Sequence, residues 1–148
     1  MELVPGEPWI PGGAPVWLPD GWTLEDFISR HGEWYWVMDV EGGWADGWVA
    51  LIRERTRYFR VAKSVHFGAW RLPGEPVNAS RLLEAWRMLI DREADAGTEV
   101  LLFRGVEHHD GIKLVKILGA RRLTETYWVL RPGMVQWKRV RRASSLSI

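Results

Sequence analysis

β-Branched and aromatic residues concentrate in three runs of the first half of the chain, a pattern typical of β-strands. We predict strands over residues 34–40, 48–54 and 58–70. A glycine-containing turn at residues 41–43 and a polar stretch at residues 53–57 separate the runs. The three strands are therefore expected to form an antiparallel meander.

The pattern changes to a helical period in the second half of the chain. After a proline-containing break at residues 72–76, apolar positions recur at helical spacing from Ser80, a good N-cap, to Gly97. This spacing predicts a helix over residues 81–96. The apolar run within residues 99–106 predicts a strand covered on both faces, as in parallel pairing. Strand, helix and strand together predict a right-handed βαβ unit.

Shorter elements complete an α/β (α+β) fold built on a mixed β-sheet. Thr23 is expected to cap a short helix, and residues 141–148 show no pattern. The remaining predicted elements are helix 24–30, helix 111–118, strand 123–130 and an added strand at 134–140.

A single domain is expected, because 148 residues suffice for one hydrophobic core. Five of the eight prolines lie in residues 1–22, which we predict to be an extended arm, since neither a helix nor an inner strand tolerates that spacing. Residues 23–133 are assigned to the domain, and residues 134–148 to a basic C-terminal strand or tail.

Composition excludes several classes of protein. The formal net charge of +1 favours neither nucleic acid nor a membrane as the main partner. Because the chain has no cysteine, it has no disulfide, thiolate nucleophile or cysteine-based metal site. The apolar runs are too short to span a bilayer and the N-terminus is unlike a signal peptide. We therefore expect a soluble protein that is not secreted by that route.

Charged residues are unevenly distributed along the chain. Five acidic residues and no Lys or Arg lie in residues 1–29, whereas five basic residues and no acid follow Glu125. Such ends suit docking to other charged surfaces, so other protein subunits are the expected partners. The basic run at residues 138–142 could contact a phosphate backbone, but a run this short more often forms salt bridges with a partner.

Tryptophan is abundant, with eleven residues in the chain and seven of them in the first 48 positions. We favour packing of the arm onto the domain over exposure to a partner. An alternative is that tryptophans form a binding platform for sugars or bases. Such a platform requires rings on one face of a strand, and a stripe of core residues would show the same pattern. The residues of that platform or stripe would be Trp34, Trp36, Trp44 and Trp48.

The second long helix lies within a motif of known type. Residues 108–120 follow the register of Asn-x-x-Ala-Ile-x-Leu-Tyr-x-x-Leu-Gly-Phe, which is common in the GNAT family of N-acetyltransferases. The matching residues are Ile112, Leu114, Leu118 and Gly119. The order of elements from about residue 33 to residue 131 also resembles that family. The resemblance implies a GNAT-like mixed sheet with a central parallel βαβ unit, and acetyl-CoA as cofactor.

The positions that carry chemistry in that family differ in this chain. His108 stands where the family has an Asn that contacts the CoA arm, and Val115 where it has the Tyr that often protonates the leaving thiolate. A valine has no proton to give, so the role of general acid is unfilled at this position. The cofactor contacts implied by the resemblance are at Arg71, Gly74, Ala79, Ser80 and His108.

The loop that would bind the pyrophosphate is obstructed. Family members use Arg or Gln-x-x-Gly-x-Gly or Ala before the helix, where successive N–H groups point at the anion. Arg71 and Gly74 match this motif, but Pro73 and Pro76 lack the N–H, and Glu75 adds a negative charge. If the motif is aligned by the position of the following helix instead, only Ala79 matches it. Both alignments weaken binding of acetyl-CoA.

Two short motifs resemble small GNAT-like proteins of tailed bacteriophages, including an internal virion protein of short-tailed phages. They are Trp-Arg-Leu-x-Gly at residues 70–74 and Leu-Gly-Ala at residues 118–120. This resemblance implies a location in the virion or the host cytoplasm, with other virion proteins as partners.

Two residues are candidate catalytic bases. His66, in the third predicted strand, could accept a proton from an amine, although a strand histidine with a satisfied hydrogen bond is the favoured interpretation. Glu99 opens the buried strand and could serve as a base, as acidic residues do in several GNAT enzymes, but a Glu after a Gly-Thr turn is usually solvated. The run at residues 108–110, His-His-Asp, is interpreted as a helix-capping loop and not a metal site, because adjacent residues rarely converge on one ion.

Our leading hypothesis is a GNAT-fold protein with a degenerate acetyl-CoA site and no expected cofactor. It would serve as a non-catalytic structural or interaction protein of a bacteriophage virion or its assembly. The alternative is a divergent acyl-CoA-dependent N-acetyltransferase, in which backbone atoms of the two parallel strands bind the pantetheine and water replaces the missing acid. The obstructed phosphate loop and Val115 favour the first hypothesis over the enzyme.

Overall fold

The computed structural model describes residues 1–9, 15–39, 43–69, 79–104, 106 and 109–146. Among these residues, seven strands form one sheet in the order β1-β2-β3-β4-β5-β7-β6. The strands are β1 Glu2–Pro5, β2 Glu33–Asp39, β3 Trp44–Glu54, β4 Ala62–Ala69, β5 Val100–Phe103, β6 Arg121–Arg122 and β7 Trp128–Leu130. The helices of the same residues are α1 Leu24–Ser29, α2 Ala79–Asp95, α3 His109–Leu118 and α4 Trp137–Leu146. The sheet contains antiparallel pairs and a parallel pair, which confirms the predicted α/β (α+β) class.

The chain divides into two compact units. Unit 1 consists of Met1–Arg53 and His66–Leu89, and unit 2 of Glu54–Val65 and Ile90–Ile148. The boundary therefore passes through β4 and through α2, and it separates Glu54 from the rest of β3.

In unit 1, the N-terminal arm contributes the edge strand of the sheet. All four residues of β1 pair antiparallel with β2, from Glu2 opposite Met38 to Pro5 opposite Tyr35. An edge strand tolerates proline because its outer N–H groups need no partner in the sheet. β2 pairs antiparallel with β3 in turn, as the predicted meander requires.

Helix α1 begins with the predicted cap. The Thr23 hydroxyl accepts a hydrogen bond from the N–H of Asp26, and the Asp26 carboxylate accepts one from the N–H of Thr23 at 2.8 Å, so the two form a capping box. The Thr23 N–H, followed by its hydroxyl, holds the pKa of Asp26 below the usual value. Phe27, on the inner face of the helix, is buried.

A core cluster in unit 1 joins the arm to the sheet. Its buried members are Phe27, Trp34, Trp48, Ala50 and Ile52, and the half-buried side chains packed against it are Val16, Trp17, Leu18, Trp22 and Trp36. Four of these half-buried residues belong to the arm, so its tryptophans pack onto the domain, as the favoured interpretation predicted.

Helix α2 confirms the strongest helical pattern in the sequence, although it begins earlier than predicted. Ala79 is already helical, so Ser80 is the second residue of the helix and is not its N-cap. This expectation was wrong because a serine in the first turn resembles a cap in sequence whether it stands before the helix or inside it. Trp86 is buried, and its ring lies edge-on to Phe67 of β4 at 5.0 Å.

In unit 2, β4 and β5 pair in parallel, which confirms the central pairing of the predicted βαβ unit. The register runs from Ala62 opposite Val100 to Val65 opposite Phe103. All four residues of β5 are buried, as its uninterrupted apolar run predicted. β5 also pairs antiparallel with β7, and β7 with the short strand β6.

Several strand boundaries differ from the prediction, among them the start of β3 at Trp44 and not at position 48, and the end of β5 at Phe103 and not at position 106. β4 begins at Ala62 and not at position 58, because the Thr56 hydroxyl bonds both the N–H and the carbonyl of Phe59 and thereby closes a turn. The predicted strand over residues 123–130 is reduced to β7. The N–H of Leu123 donates to the carbonyl of Tyr127 at 2.8 Å, which turns the chain between β6 and β7.

The predicted strand at residues 134–140 was wrong. A 3₁₀ turn, Pro132–Met134, is followed by helix α4, which continues through the segment where no pattern was found. Val140 is buried and Trp137 is half-buried three positions before it, a spacing that suits a helix face and not a strand face. No helix in the described part of the chain is both long and apolar enough to cross a bilayer.

Candidate functional site

Strand β4 extends beyond its parallel partner. The register with β5 ends at Val65, whereas β4 continues through His66 and Gly68 to Ala69. In the alternative hypothesis of an acyltransferase, backbone groups of the two parallel strands are expected to bind the pantetheine of an acyl donor. The paired part of β4, Ala62–Val65, belongs to unit 2, and the continuation from His66 belongs to unit 1.

His66, a candidate base, is covered on one ring face. Its imidazole stacks on the indole of Trp17 with the ring centroids 4.5 Å apart and the planes 26° apart. Trp17 comes from the arm, so a segment outside the predicted domain reaches this candidate residue. His66 is half-buried and has further interactions, which agrees with a strand histidine held by its neighbours.

The stack continues from Trp17 into the core. Trp17 stacks on Trp48 at 5.5 Å, Trp48 on Trp34 at 4.5 Å, and Trp34 meets Trp36 edge-on at 5.4 Å. Trp34 and Trp48 are both buried, so these residues form the core stripe and not an exposed platform for sugars or bases. The side chain of Trp44 lies outside the described residues.

Glu99, the other candidate base, holds a turn in unit 2. Its carboxylate accepts a hydrogen bond from the N–H of Arg60 at 2.8 Å and lies 4.0 Å from the guanidinium of Arg131. Its carboxylate is thus engaged by two groups of its own unit, an arrangement that suits a structural role. Glu99 and His66 belong to different units and have separate partners.

The predicted cofactor contacts fall mostly outside the described residues. Arg71, Gly74 and His108 are among the positions without a described placement. Ala79 and Ser80 are the first two residues of α2, and their backbone alone is described.

Arg81 is a positively charged residue in the first turn of α2. Nothing in the sequence indicates that it belongs to a site. Its guanidinium lies 2.8 Å from the carboxylate of Asp39, at the end of β2, and 3.4 Å from that of Asp46 in β3. The hydrogen bond to Asp39, assisted by the charge of Asp46, raises the pKa of Arg81. The first turn of α2 therefore faces two carboxylates of the chain itself.

Val115 is buried completely within unit 2. It lies in α3, at the position that matches the proton-donating Tyr of the family. Valine itself carries no hydroxyl. Because its side chain is completely buried, a larger residue would not fit here without rearrangement.

Metal binding finds no support in the described part of the chain, where no group of three His, Asp or Glu side chains is placed to hold an ion. His108 lies outside the described residues, and the two that follow it are the first residues of α3.

The sequence matches no protein-family model and no curated protein. Its structure is similar to that of FeeM, an N-acyl amino acid synthase from uncultured soil microbes, with a TM-score of 0.53 and 10% identity over 74% of this chain and 80% of that one. A mutant of the AtaT toxin bound to the C-terminus of the antitoxin AtaR gives a TM-score of 0.46, with 14% identity over 84% of this chain and 76% of that one. At such low identity the first likeness concerns the fold alone. Together with the strand order and the parallel β4–β5 pair, it shows that this chain has a GNAT-like fold.

Proposed function

We propose that this chain is a GNAT-fold protein that does not transfer acyl groups from CoA and instead acts as an interaction subunit. The phage-like motifs in its sequence favour a virion or its assembly as the setting. Other protein subunits are the proposed partners, because the two ends of the sequence carry opposite charges.

The observation that carries this proposal is the ion pair at the start of α2. A helix N-terminus attracts a pyrophosphate through its N–H groups and positive dipole. In this chain, Arg81 is already bound to Asp39 and Asp46. The group of three side chains therefore has one positive and two negative charges. A pyrophosphate would have to displace these carboxylates from Arg81 or lie beside their negative charge.

The buried Val115 supports the same proposal independently. Acyl transfer from a thioester releases a thiolate, which an acid in the site usually protonates. This position supplies none, because valine has no ionisable group and its side chain is completely buried.

Titration calorimetry with acetyl-CoA tests the proposal. The loss of two or three charge-assisted hydrogen bonds, at about 1.5 to 3 kcal/mol each, weakens a micromolar site to a few tenths of a millimolar or worse. We expect no saturable binding below about millimolar acetyl-CoA, and no acetylation of a panel of amines above background. A Kd below about 50 micromolar would overturn the proposal.

A variant pair makes the test specific to the ion pair. Asp39→Asn with Asp46→Asn leaves Arg81 charged but removes both competing carboxylates, so weak binding of acetyl-CoA should become tighter than in the native protein. Glu7→Gln with Glu25→Gln, which removes two exposed carboxylates of unit 1 that have no described contact with Arg81, is the matched control. Equal affinity of all three proteins would show that the carboxylates do not exclude the anion.

A divergent N-acyltransferase is the second candidate function. The parallel β4–β5 pair favours it, because backbone groups of these two strands could receive the pantetheine of an acyl donor. If tight donor binding and amine acylation are both found, His66→Ala should reduce turnover much more than binding. Loss of donor binding alone would show that His66 packs the site and is not its base.

A further inference from the structure

Charge is distributed unevenly between the two units, although the whole chain is almost neutral. In the sequence of unit 1, eleven Asp and Glu stand against five Lys and Arg, a net charge of −6. In unit 2, eight acidic residues stand against fifteen basic ones, a net charge of +7. Unit 2 is therefore the part of the molecule with an electrostatic preference for an anionic ligand.

The turn between β3 and β4, in unit 2, presents an aromatic ring to solvent. Tyr58 is 83% exposed, the highest value among the large hydrophobic side chains exposed in the described residues. The turn is held in shape, because the Thr56 hydroxyl accepts from the N–H of Phe59 at 3.0 Å and donates to its carbonyl at 3.1 Å. Tyr58 stands between these two residues, so its ring is displayed by a fixed turn.

Exposed arginines flank Tyr58 along the chain. Arg55, Arg57 and Arg60 are all exposed, and Arg55 and Arg57 form no ion pair with any residue that the structure describes. The N–H of Arg60 donates to the Glu99 carboxylate at 2.8 Å, which fixes the turn against the start of β5. The turn thus combines an exposed ring with two cations that have no carboxylate partner in the described chain.

A second pair of aromatic rings lies beside the turn, each with a cation above it. Phe59 and Tyr127 are half-buried on the core cluster of Ala62, Val100 and Leu102. The guanidinium of Arg131 lies 5.8 Å from the ring centre of Phe59, and that of Arg104 lies 5.4 Å from the ring centre of Tyr127.

The carboxylates near these cations only partly neutralise them. Arg104 lies 3.7 Å from Glu54 and Arg131 lies 4.0 Å from Glu99, and both guanidinium side chains are about half exposed, at 50% and 53%. Contacts of this length leave N–H donors available for a closer anion.

We propose that this surface, formed by Arg55, Arg57, Tyr58, Arg104 and Arg131 and called here the Tyr58 surface, binds single-stranded nucleic acid. A base stacks on the ring of Tyr58 while the neighbouring phosphates pair with Arg55 and Arg57. Sites for single strands combine these two elements, an aromatic ring and a cationic track. An acidic peptide would use the cations but not the ring, and a duplex keeps its base faces stacked and unavailable.

Fluorescence anisotropy with the full chain tests this proposal. The probes are labelled oligothymidine and oligouridine of about 15 nucleotides, a length within the range of single-strand sites, at about 50 mM salt. Tyr58→Ala should weaken binding roughly fivefold to 150-fold, as expected for the loss of one stacked base, whereas Tyr58→Phe should retain it. Because the side chain is exposed, neither variant should change the circular dichroism spectrum or the unfolding midpoint.

Two control variants separate stacking from general cationic attraction. Met134→Ala removes another exposed apolar side chain of unit 2, which is 72% exposed, and should leave the affinity unchanged. Arg57→Gln should reduce the slope of log K against log salt by about 0.7, the value for one phosphate contact on a single strand. Arg139→Gln, an equal change of charge in α4, should alter that slope less.

Three results would overturn the proposal. The first is the absence of binding to either probe at low salt. The second is a larger effect of Arg139→Gln than of Arg57→Gln, which would place the phosphate contacts on α4. The third is equal affinity of the native protein and Tyr58→Ala for the probes. If polyglutamate then competes as well as unlabelled oligothymidine does, the partner of these cations is an acidic polypeptide.

Discussion

Trp48 lies against a strand position that has no side chain. A Cβ atom at Gly68 would stand 2.5 Å from Nε1 of Trp48 and 2.8 Å from its Cε2, both far inside van der Waals contact. The indole cannot move away easily, because it is stacked on Trp17 and on Trp34. Only a residue without a side chain fits at position 68, because the Trp48 ring packs directly against the backbone there. The sequence alone does not reveal this close approach.

Gly68→Ala is expected to destabilise the protein by about 1 to 3 kcal/mol, the usual cost of overpacking a filled core. Urea denaturation followed by tryptophan fluorescence measures the change. Gly133→Ala is the matched control, because a Cβ at Gly133 meets no atom within 4 Å and should change stability by less than about 0.5 kcal/mol. Equal stability of the two variants would mean that Trp48 is not held as tightly as its two stacking contacts indicate.

A buried ion pair connects strand and helix within unit 2. Nζ of Lys63 in β4 lies 2.6 Å from Oε1 of Glu93 in α2, with the two side chains only 14% and 4% exposed. Lys63 has further interactions besides this one. Charges removed from water in this way cost much to separate, since the partner left behind has no water to compensate it.

We expect Glu93→Ala to destabilise the protein by about 3 to 5 kcal/mol, because it leaves the Lys63 ammonium buried without its carboxylate. The double variant Lys63→Met with Glu93→Leu should recover most of that loss, since neither charge then remains in the interior. Both values come from urea denaturation at neutral pH. A Glu93→Ala protein as stable as the native one would show that solvent reaches Lys63 without cost.

Elements specified by local signals were predictable from the sequence. Thr23 and Asp26 form a capping box three residues apart, so the start of α1 could be inferred correctly. The apolar run of β5 predicted its burial and its parallel pairing with β4, because a strand covered on both faces needs no polar alternation.

Elements that depend on distant contacts were not predictable. Helix α4 was missed because its apolar positions are few, and its inner face is defined by the burial of Val140. Arg81 gave no signal either, since its partners Asp39 and Asp46 are far from it in sequence and only the fold brings them to α2. Most of the positions expected to contact acetyl-CoA lie outside the described residues, and they remain predictions.

At the scale of the whole molecule, the N-terminal arm is part of the folded structure. β1 pairs with β2 along its full length, and the N–H of Gly6 donates to the carbonyl of Trp34 at 3.0 Å. Further along the arm, Trp17 stacks on both Trp48 and His66. An arm that served only to reach neighbouring subunits would have no need of these contacts within its own chain.

Two truncations measure how much the arm contributes to the fold. Removing residues 1–7 deletes β1 and leaves Trp17 in place, whereas removing residues 1–20 also deletes Trp17 and exposes one face of Trp48. We expect the longer truncation to be less stable than the shorter one by at least about 2 kcal/mol, close to the value of one large buried apolar side chain. Its tryptophan emission should also shift to longer wavelength as water reaches the core cluster. If the longer truncation instead unfolds at the same urea concentration as the full chain but loses self-association in sedimentation experiments, the arm is a docking element, and its packing on unit 1 does not contribute to stability.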